Sequence, residues 1–370
     1  MRYYLIAGEA SGDLHGSNLI KGIAAEDPDA VFRFRGGDLM AAAAGSEPFE
    51  HYKNGAIMGA SDVLRKAPSL LASLRRCRRD IASFKPDAVI LIDYPGFNLR
   101  IARFCHIRGI RVIYYIAPKT WASRPGRNSL LRRYVDRLYV LFPFEVPYFE
   151  KERVPIVYRG NPLVDIIDSH RFISPCKEKY IAVLPGSRKA EISRMMPVCM
   201  EVAEAIGMKV IVAGAPSTSM EDFEPYLGGR HNVQVLFGRT YDILKFAQAA
   251  IINSGTASLE AALIGTPQVV CWSTSDFNWW YANKLLKVRN HIDYVSLGNL
   301  CLGRPAFKEL LQSGFNKAAV MQEVRLILDD SSYRARMINA CRQIRELLGG
   351  PGSSEAIARE ITTEINTNMI

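Results

Sequence analysis

A chain of 370 residues exceeds one ordinary domain and has room for two. Hydrophobic residues make up 48% of it, enough to bury sizeable cores, which excludes a disordered chain. The formal net charge of +10 calls for an anionic partner (nucleic acid, acidic lipid or a phosphorylated substrate) without choosing among them.

The first apolar strand, Tyr3–Ala7, runs into the turn "GEASGD" and a helix over Leu14–Ala25. A glycine-bearing turn between strand and helix ordinarily cradles phosphate on its N–H groups. This one instead carries Glu9 and Asp13, two carboxylates that repel phosphate. A second strand covers Val31–Arg35. The stretch Val63–Arg79 mixes Leu64, Leu70, Leu71 and Leu74 with six basic residues, and reads either as a core-facing helix with a solvated basic face or as a helix that dips its leucines into a lipid interface. Ala88–Asp93 is an almost continuous apolar run ending in an acid, the pattern of a buried parallel strand. A helix over Asn98–Arg108 and strands over Arg111–Ile116, Arg137–Phe142 and Val157–Arg159 follow. The turn "GNPLVD" and the polar stretch Ser169–Glu178 then mark a boundary.

The same grammar restarts with a strand at Tyr180–Leu184, a helix at Ala190–Ile206 and a strand at Lys209–Ala213. Strands at Val233–Phe237, Ala250–Asn253 and Gln268–Trp272 and a helix at Thr256–Ile264 complete this half. Helices at Phe277–Leu286, Lys317–Leu328 and Tyr333–Leu348 come next, and "GGPGSS" separates the last from a short terminal helix. Two βα-repeating halves imply an α/β chain with two Rossmann-like, doubly wound domains facing across a cleft and a helical C-terminus. The expected division is 1–168, 169–345 and a tail, 346–370, packing back on the first domain or on a partner subunit.

Several residues are placed for chemistry. Asp93 ends a buried strand, where an acid is either a helix cap or a general base. Trp121, followed by basic residues, suits a sugar phosphate or fills a core. In "LPGSRKAEI", Gly186 admits a phosphate to the backbone, Ser187 caps the helix, and Arg188 offers a fork for two phosphate oxygens; an ordinary βα turn with a surface arginine has the same pattern. "NSGTASLEAAL" is a second helix start rich in small donors, with Glu260 one turn beyond Thr256. The pair suits a nucleoside diphosphate, with Glu260 on ribose hydroxyls. No GxSxG, Walker A or GxGxxG pattern occurs. Seven cysteines without CxxC spacing and six histidines without HxH or HxxxH pairing point to a reducing, cytoplasmic compartment and to no metal centre or cofactor. No apolar run is long enough to span a bilayer. The basic clusters lack any nucleic-acid motif, so no nucleic-acid partner is expected.

Taken together, "AGEASGDLHG", "MGASDVL", "IDYPGFN", "YYIAPKTWA", "LFPFE", "GNPLVD", "LPGSRKAEI", "SGTASLE" and "DYVSLGNL", in that order from Ala7 to Leu300, resemble the lipid-A-disaccharide synthases, glycosyltransferases of the GT-B type. Family members often carry an acid, an aromatic and a histidine where this chain has Gly96, Ser123 and Asn161. The resemblance implies transfer of a diacylglucosamine from UDP to lipid X, the diacylated glucosamine 1-phosphate, giving a β-1,6 disaccharide with inversion. It places Arg188 on the diphosphate, Ser254, Gly255, Thr256, Glu260 and Asn299 around the donor, and Asp93 as the base. Glu9 is the second candidate base, with Ser11 and Asp13 beside it on the acceptor side; Asp13 alternatively caps the helix near Leu14. It further implies an anionic inner-membrane surface as partner, a peripheral cytoplasmic location and a homodimer. The alternatives are another UDP-sugar enzyme of this fold, namely a UDP-N-acetylglucosamine epimerase or the peptidoglycan glucosaminyltransferase, and a basic membrane- or nucleic-acid-binding module.

Overall fold

The computed structural model of the chain describes residues 1–55, 67–122, 124–275 and 293–367. The chain divides into two compact units, Met1–Pro162 with Pro351–Ile370, and Leu163–Gly350.

In the first unit, the strands are β1 (Arg2–Ala7), β2 (Val31–Gly36), β3 (Glu50–His51), β4 (Ala88–Ile92), β5 (Arg111–Tyr115), β6 (Arg137–Val140) and β7 (Val157–Tyr158). They form one parallel sheet in the order β3-β2-β1-β4-β5-β6-β7. The β4 sequence AVILI has every side chain fully buried, because helices cover both faces of a parallel sheet. Each of its valine, isoleucine and leucine side chains contributes about 1.5–3 kcal/mol on leaving water. Leu19, Ile20 and Ile23 of the helix Ala10–Glu26 share one face of the sheet with Ile357, Ile361 and Ile365 of the last helix, Ser353–Thr367. The close approach of those helices runs over Gly22, where a Cβ would lie 2.8 Å from Ala358.

The helix Ala67–Phe84 lies on the other face. Leu74, Cys77 and Ile81 are buried in its core and Leu70 packs against them. These positions follow the spacing i, i+4, i+7, i+11, which keeps them on one stripe of an α-helix. The idea that Leu70 and Leu74 dip into lipid is therefore overturned: the stripe is spent on the sheet. Leu71 alone of the three is exposed, at 52%, on a face shared with Arg75 and Arg79, and Leu64 lies outside the described residues.

In the second unit, β8 (Tyr180–Leu184), β9 (Lys209–Gly214), β10 (Val233–Phe237), β11 (Ala249–Asn253), β12 (Gln268–Trp272) and β13 (Glu309–Leu311) form a second parallel sheet, ordered β10-β9-β8-β11-β12-β13. The helices Lys317–Asp329 and Ser331–Leu348 follow it. The helix expected over Phe277–Leu286 and all of "MGASDVL" lie outside the described residues.

Two helix starts differ from the sequence reading. The first helix begins at Ala10, not Leu14, so Ser11 and Asp13 belong to its first turn. The helix expected from Asn98 begins at Pro95, because proline at the first position supplies a preset φ and leaves no N–H to satisfy. The strands β3 and β13, two and three residues long, carry too little periodicity to be seen in sequence.

Candidate functional site

Each sheet reverses its strand order once, between β1 and β4 in the first unit and between β8 and β11 in the second. In open α/β sheets, ligands bind beyond the carboxyl ends of the strands at such a reversal, where the two following loops diverge to opposite faces. Most of the candidate residues fall at these two places; Trp121 follows β5, and Asn299 lies in the helix Leu297–Leu302.

In the first unit, Ala7 pairs with Ile92, so the turns after β1 and β4 emerge side by side. This brings Glu9 and Asp93 together. Glu9 is exposed at the N-cap position of the helix Ala10–Glu26 and accepts the Ser11 hydroxyl at 3.1 Å. A carboxylate there meets the positive end of the helix dipole, which explains how an acidic turn is tolerated where phosphate is common.

Asp93 is not a helix cap: the N-cap residue of the helix Pro95–Ile107 is Tyr94. Asp93 and Tyr94 are both left-handed, with φ of 42° and 46°. Two successive non-glycine residues in that region cost about 1–3 kcal/mol each and persist only where surroundings over-determine them. They do so here. The Asp93 carbonyl accepts Tyr114 Oη at 2.5 Å and Asn98 Nδ2 at 2.8 Å, and the fully buried Asn98 also donates to the Ile92 carbonyl at 3.2 Å. Burial pushes the Asp93 carboxyl up to about 6; nearby Glu9 pushes it the same way, while Lys119 and Arg127 oppose. A carboxylate poised near neutral pH, beside a second acid and two cations, is equipped to take a proton from a hydroxyl.

Asp13 does not belong to this cluster. It is buried, and its carboxylate accepts the N–H groups of Gly37, Leu39 and Met40 at 2.7, 3.1 and 3.2 Å. It thus closes the N-terminus of the helix Asp38–Ala44, not its own. This corrects both readings made of it.

Trp121 donates its indole N–H to Glu145 at 2.9 Å and meets Phe144 edge-on at 5.1 Å. The ring is half-buried, so it can offer a ligand an edge or face but not its N–H. Glu145, which the sequence reading did not single out, also accepts the N–H groups of Leu141 and Phe142 at 2.9 and 3.0 Å. Burial pushes it up to about 6 against these bonds. The visible signal was an acid just beyond a strand end, in "LFPFE".

In the second unit, Leu184 pairs with Ile252, which sets the turns after β8 and β11 side by side. Gly186 has φ of 109°, and a Cβ there would lie 2.4 Å from Glu191 Oε2 and 2.7 Å from Asn253 Nδ2. The N-cap of the helix Lys189–Ile206 is Arg188, so Ser187 does not cap it. The capping work is done by Glu191, whose Oε2 accepts the N–H groups of Ser187 and Arg188 at 3.0 and 3.3 Å, while Oε1 meets Arg188 Nη1 at 3.1 Å. The turn's backbone donors and guanidinium therefore already face one carboxylate, that of Glu191. Glu191 was legible only as an acid three residues past the cap.

Ser254 and Gly255 form the neighbouring turn, with Gly255 at the N-cap of the helix Thr256–Ile264 and Thr256 half-buried at its first position. Ser254 Oγ donates to the Val295 carbonyl at 2.9 Å. Glu260 lies one turn along, half-buried, and accepts Tyr241 Oη at 3.3 Å. Burial pushes its carboxyl up to about 7. Asn299 is a further correction. It is fully buried; Nδ2 donates to the Phe307 carbonyl and to Glu309 at 2.9 Å each, and Oδ1 accepts the N–H groups of Ala306 and Phe307 at 2.9 Å. An amide has no further capacity, so Asn299 braces its loop and cannot also bind a donor.

A cavity of about 550 Å³ in this unit, lined by Ile167, Phe172, Lys245, Ile264, Ile338 and Arg342, sits at the far end of the helix Thr256–Ile264 from Thr256 and includes none of these residues. Among the described residues, no group of three or more His, Cys, Asp or Glu side chains is arranged to hold a metal ion, and no helix is long and apolar enough to cross a membrane.

Residues 3–360 match the family described as lipid-A-disaccharide synthetase. A lipid-A-disaccharide synthase of Geobacter metallireducens is 34% identical over 371 residues, covering 96% of this chain and 95% of the relative. One of Trichlorobacter lovleyi is 32% identical over 371 residues, covering 96% of each. Among solved structures, the UDP-GlcNAc 2-epimerase of Neisseria meningitidis aligns with a TM-score of 0.68 at 12% identity, over 98% of this chain and 100% of that one. At that identity the likeness shows the fold alone, the two-domain GT-B-like α/β architecture.

Proposed function

The chain belongs to the lipid-A-disaccharide synthetase family and is a hexosyltransferase of lipid A disaccharide synthesis; from that premise we propose its substrates and its chemistry. The donor is UDP-2,3-diacylglucosamine and the acceptor is lipid X, 2,3-diacylglucosamine 1-phosphate. Asp93 removes the proton of the acceptor 6-hydroxyl as its oxygen attacks the anomeric carbon from the face opposite UDP. The glycosidic C–O bond to the diphosphate breaks, UDP leaves with the electron pair, and a β-1,6 disaccharide 1-phosphate forms with inversion.

The observation that supports this most is Asp93 itself: an acid whose backbone is held at the β4 end, at the strand-order reversal, and whose carboxyl is raised to about 6. General-base catalysis of this kind is worth about 10²–10⁴-fold. On the donor side, the diphosphate takes over from Glu191 the N–H groups of Ser187 and Arg188 and the Arg188 guanidinium. Preorganised donors at a helix N-terminus stabilise the charge that develops on the leaving group. Glu260 accepts ribose hydroxyls, with Ser254, Gly255 and Thr256 at the neighbouring helix start. Glu9, with Ser11 bonded to it, and Trp121 orient the acceptor.

Because both substrates are acylated, we place the enzyme peripherally on the cytoplasmic face of the inner membrane. The surface that suits anionic headgroups is the exposed side of the helices Ala67–Phe84 and Pro95–Ile107. The first of these helices carries Arg75 and Arg79 with Leu71, and the second carries Arg100 and Arg103 and ends at the 65%-exposed Ile107 and Arg108. The direct test is incubation with UDP-2,3-diacylglucosamine and lipid X, followed by mass spectrometry of the lipid fraction. A disaccharide product that needs both lipids supports the reading; UDP release without a disaccharide refutes it.

A further inference from the structure

We propose that Arg35 is a positioning residue, which through the ring of Tyr94 holds the Asp93 carboxylate in place; the inference rests on the reading of Asp93 as the base. Arg35 stands on β2, two strands from β4, and is 1% exposed. Its guanidinium carbon lies 5.4 Å from the centroid of the Tyr94 ring and 4.9 Å from that of Phe97. The two rings stack on each other at 5.4 Å and 19°. Gly8 closes the arrangement from the β1 turn: a Cβ there would fall 2.3–2.7 Å from three ring carbons of Tyr94, so the ring rests directly on the glycine.

Arg35 is poorly satisfied for a buried cation. Glu50 is its counter-charge at 3.8 Å, beyond hydrogen-bond reach, and that carboxylate also accepts Ser73 Oγ at 3.0 Å and faces Arg76 at 3.4 Å. Nε and Nη1 of Arg35 make no hydrogen bond among the described residues. Burying N–H groups unbonded costs free energy that a methionine of similar length would not. What the guanidinium does that an apolar side chain cannot is grip aromatic faces by their negative potential, most strongly where water is excluded. The gripped ring belongs to the residue after Asp93, and both are left-handed. With the Tyr94 ring pinned between Arg35, Phe97 and Gly8, the Asp93–Tyr94 peptide cannot relax to an ordinary turn. The carboxylate is thereby kept among the groups that face it: Glu9 from the β1 turn, Lys119 and Arg127 from the segments after β5, and Tyr114, whose hydroxyl donates to the Asp93 carbonyl.

The test is a cycle of Arg35→Met, Asp93→Asn and the double variant, read by UDP release across pH. Arg35→Met is expected to lower kcat by about tenfold or more, since displacements near 1 Å at a reacting group cost up to about a hundredfold. It should leave the KM for the nucleotide sugar unchanged and move the acid limb of the kcat profile, and Arg35→Lys should recover part of the loss. In the Asp93→Asn background, Arg35→Met should cost nothing further. A folded Arg35→Met enzyme with the wild-type kcat and pH profile, or a loss that adds in full to that of Asp93→Asn, overturns the proposal. Failure of the base reading is separate: it shows as an Asp93→Asn enzyme with the wild-type rate. Should Arg35→Met not fold, Gly8→Ala displaces the same ring from the β1 turn and leaves Arg35 and Glu50 in place. The same fall in kcat and shifted acid limb support the proposal, and a wild-type profile overturns it.

Discussion

Replacing Asp93 by Asn separates catalysis from stability in opposite directions. The amide keeps the shape of the carboxyl, and Asn, like Asp, tolerates the left-handed backbone at φ 42°. It cannot accept the hydroxyl proton, so turnover should fall by about 10²–10⁴-fold. Stability should rise. Burial, with Glu9 behind it, lifts the Asp93 carboxyl from 3.8 to about 6. A folded-state pKa raised above the unfolded value means no penalty below about pH 4, a penalty that grows as the unfolded chain ionises first, and the full penalty above about pH 6. A lift of that size corresponds to about 2–3 kcal/mol at pH 7.5. Asp93→Asn should therefore melt a few degrees higher than the wild type at pH 7.5, and the difference should vanish near pH 4. Thermal melts at both pH values and UDP-release rates on the same preparations are sufficient. A variant that melts lower at pH 7.5, or that keeps half of the wild-type rate, refutes the reasoning.

Arg188→Ala should weaken UDP binding by about 1.5–3 kcal/mol through loss of a charge-assisted contact, with little change in melting because the side chain is exposed; unaltered UDP affinity by calorimetry would remove Arg188 from the donor site. Affinity for the nucleotide sugar should rise with pH through about 7, because Glu260 must be ionised to accept two hydroxyls and burial holds its proton until then. Binding near pH 6.5 should release protons, seen as a heat that depends on the buffer's ionisation enthalpy, and Glu260→Gln should abolish that dependence. Arg75→Ser with Arg79→Ser should reduce co-sedimentation with anionic vesicles at low salt by roughly 2 kcal/mol, at about 1 kcal/mol per basic residue near the surface. Wild-type protein that stays in the supernatant with such vesicles would dismiss the proposed membrane face.

The sequence by itself determined the parallel sheets, because a strand covered on both faces must be apolar throughout, as AVILI is in β4 and YIAVL in β8. It also determined which turns follow those strands and so which acids, glycines and arginines stand at their ends. The tertiary structure decided what each polar group does there. Asp13 and Glu9 look alike in "GEASGD", yet Asp13 is consumed by three N–H groups some 24–27 residues away while Glu9 faces Asp93. Asn299 sits in a shared motif, and its amide is filled by the loop that returns through Phe307. The pairing of Glu9 with Asp93, the burial that raises Asp93 and the ring that Arg35 grips all depend on β1 lying between β2 and β4. Strand order joins residues tens of positions apart, and desolvation depends on everything packed around a group, so neither is encoded in the local pattern that makes a strand or a turn.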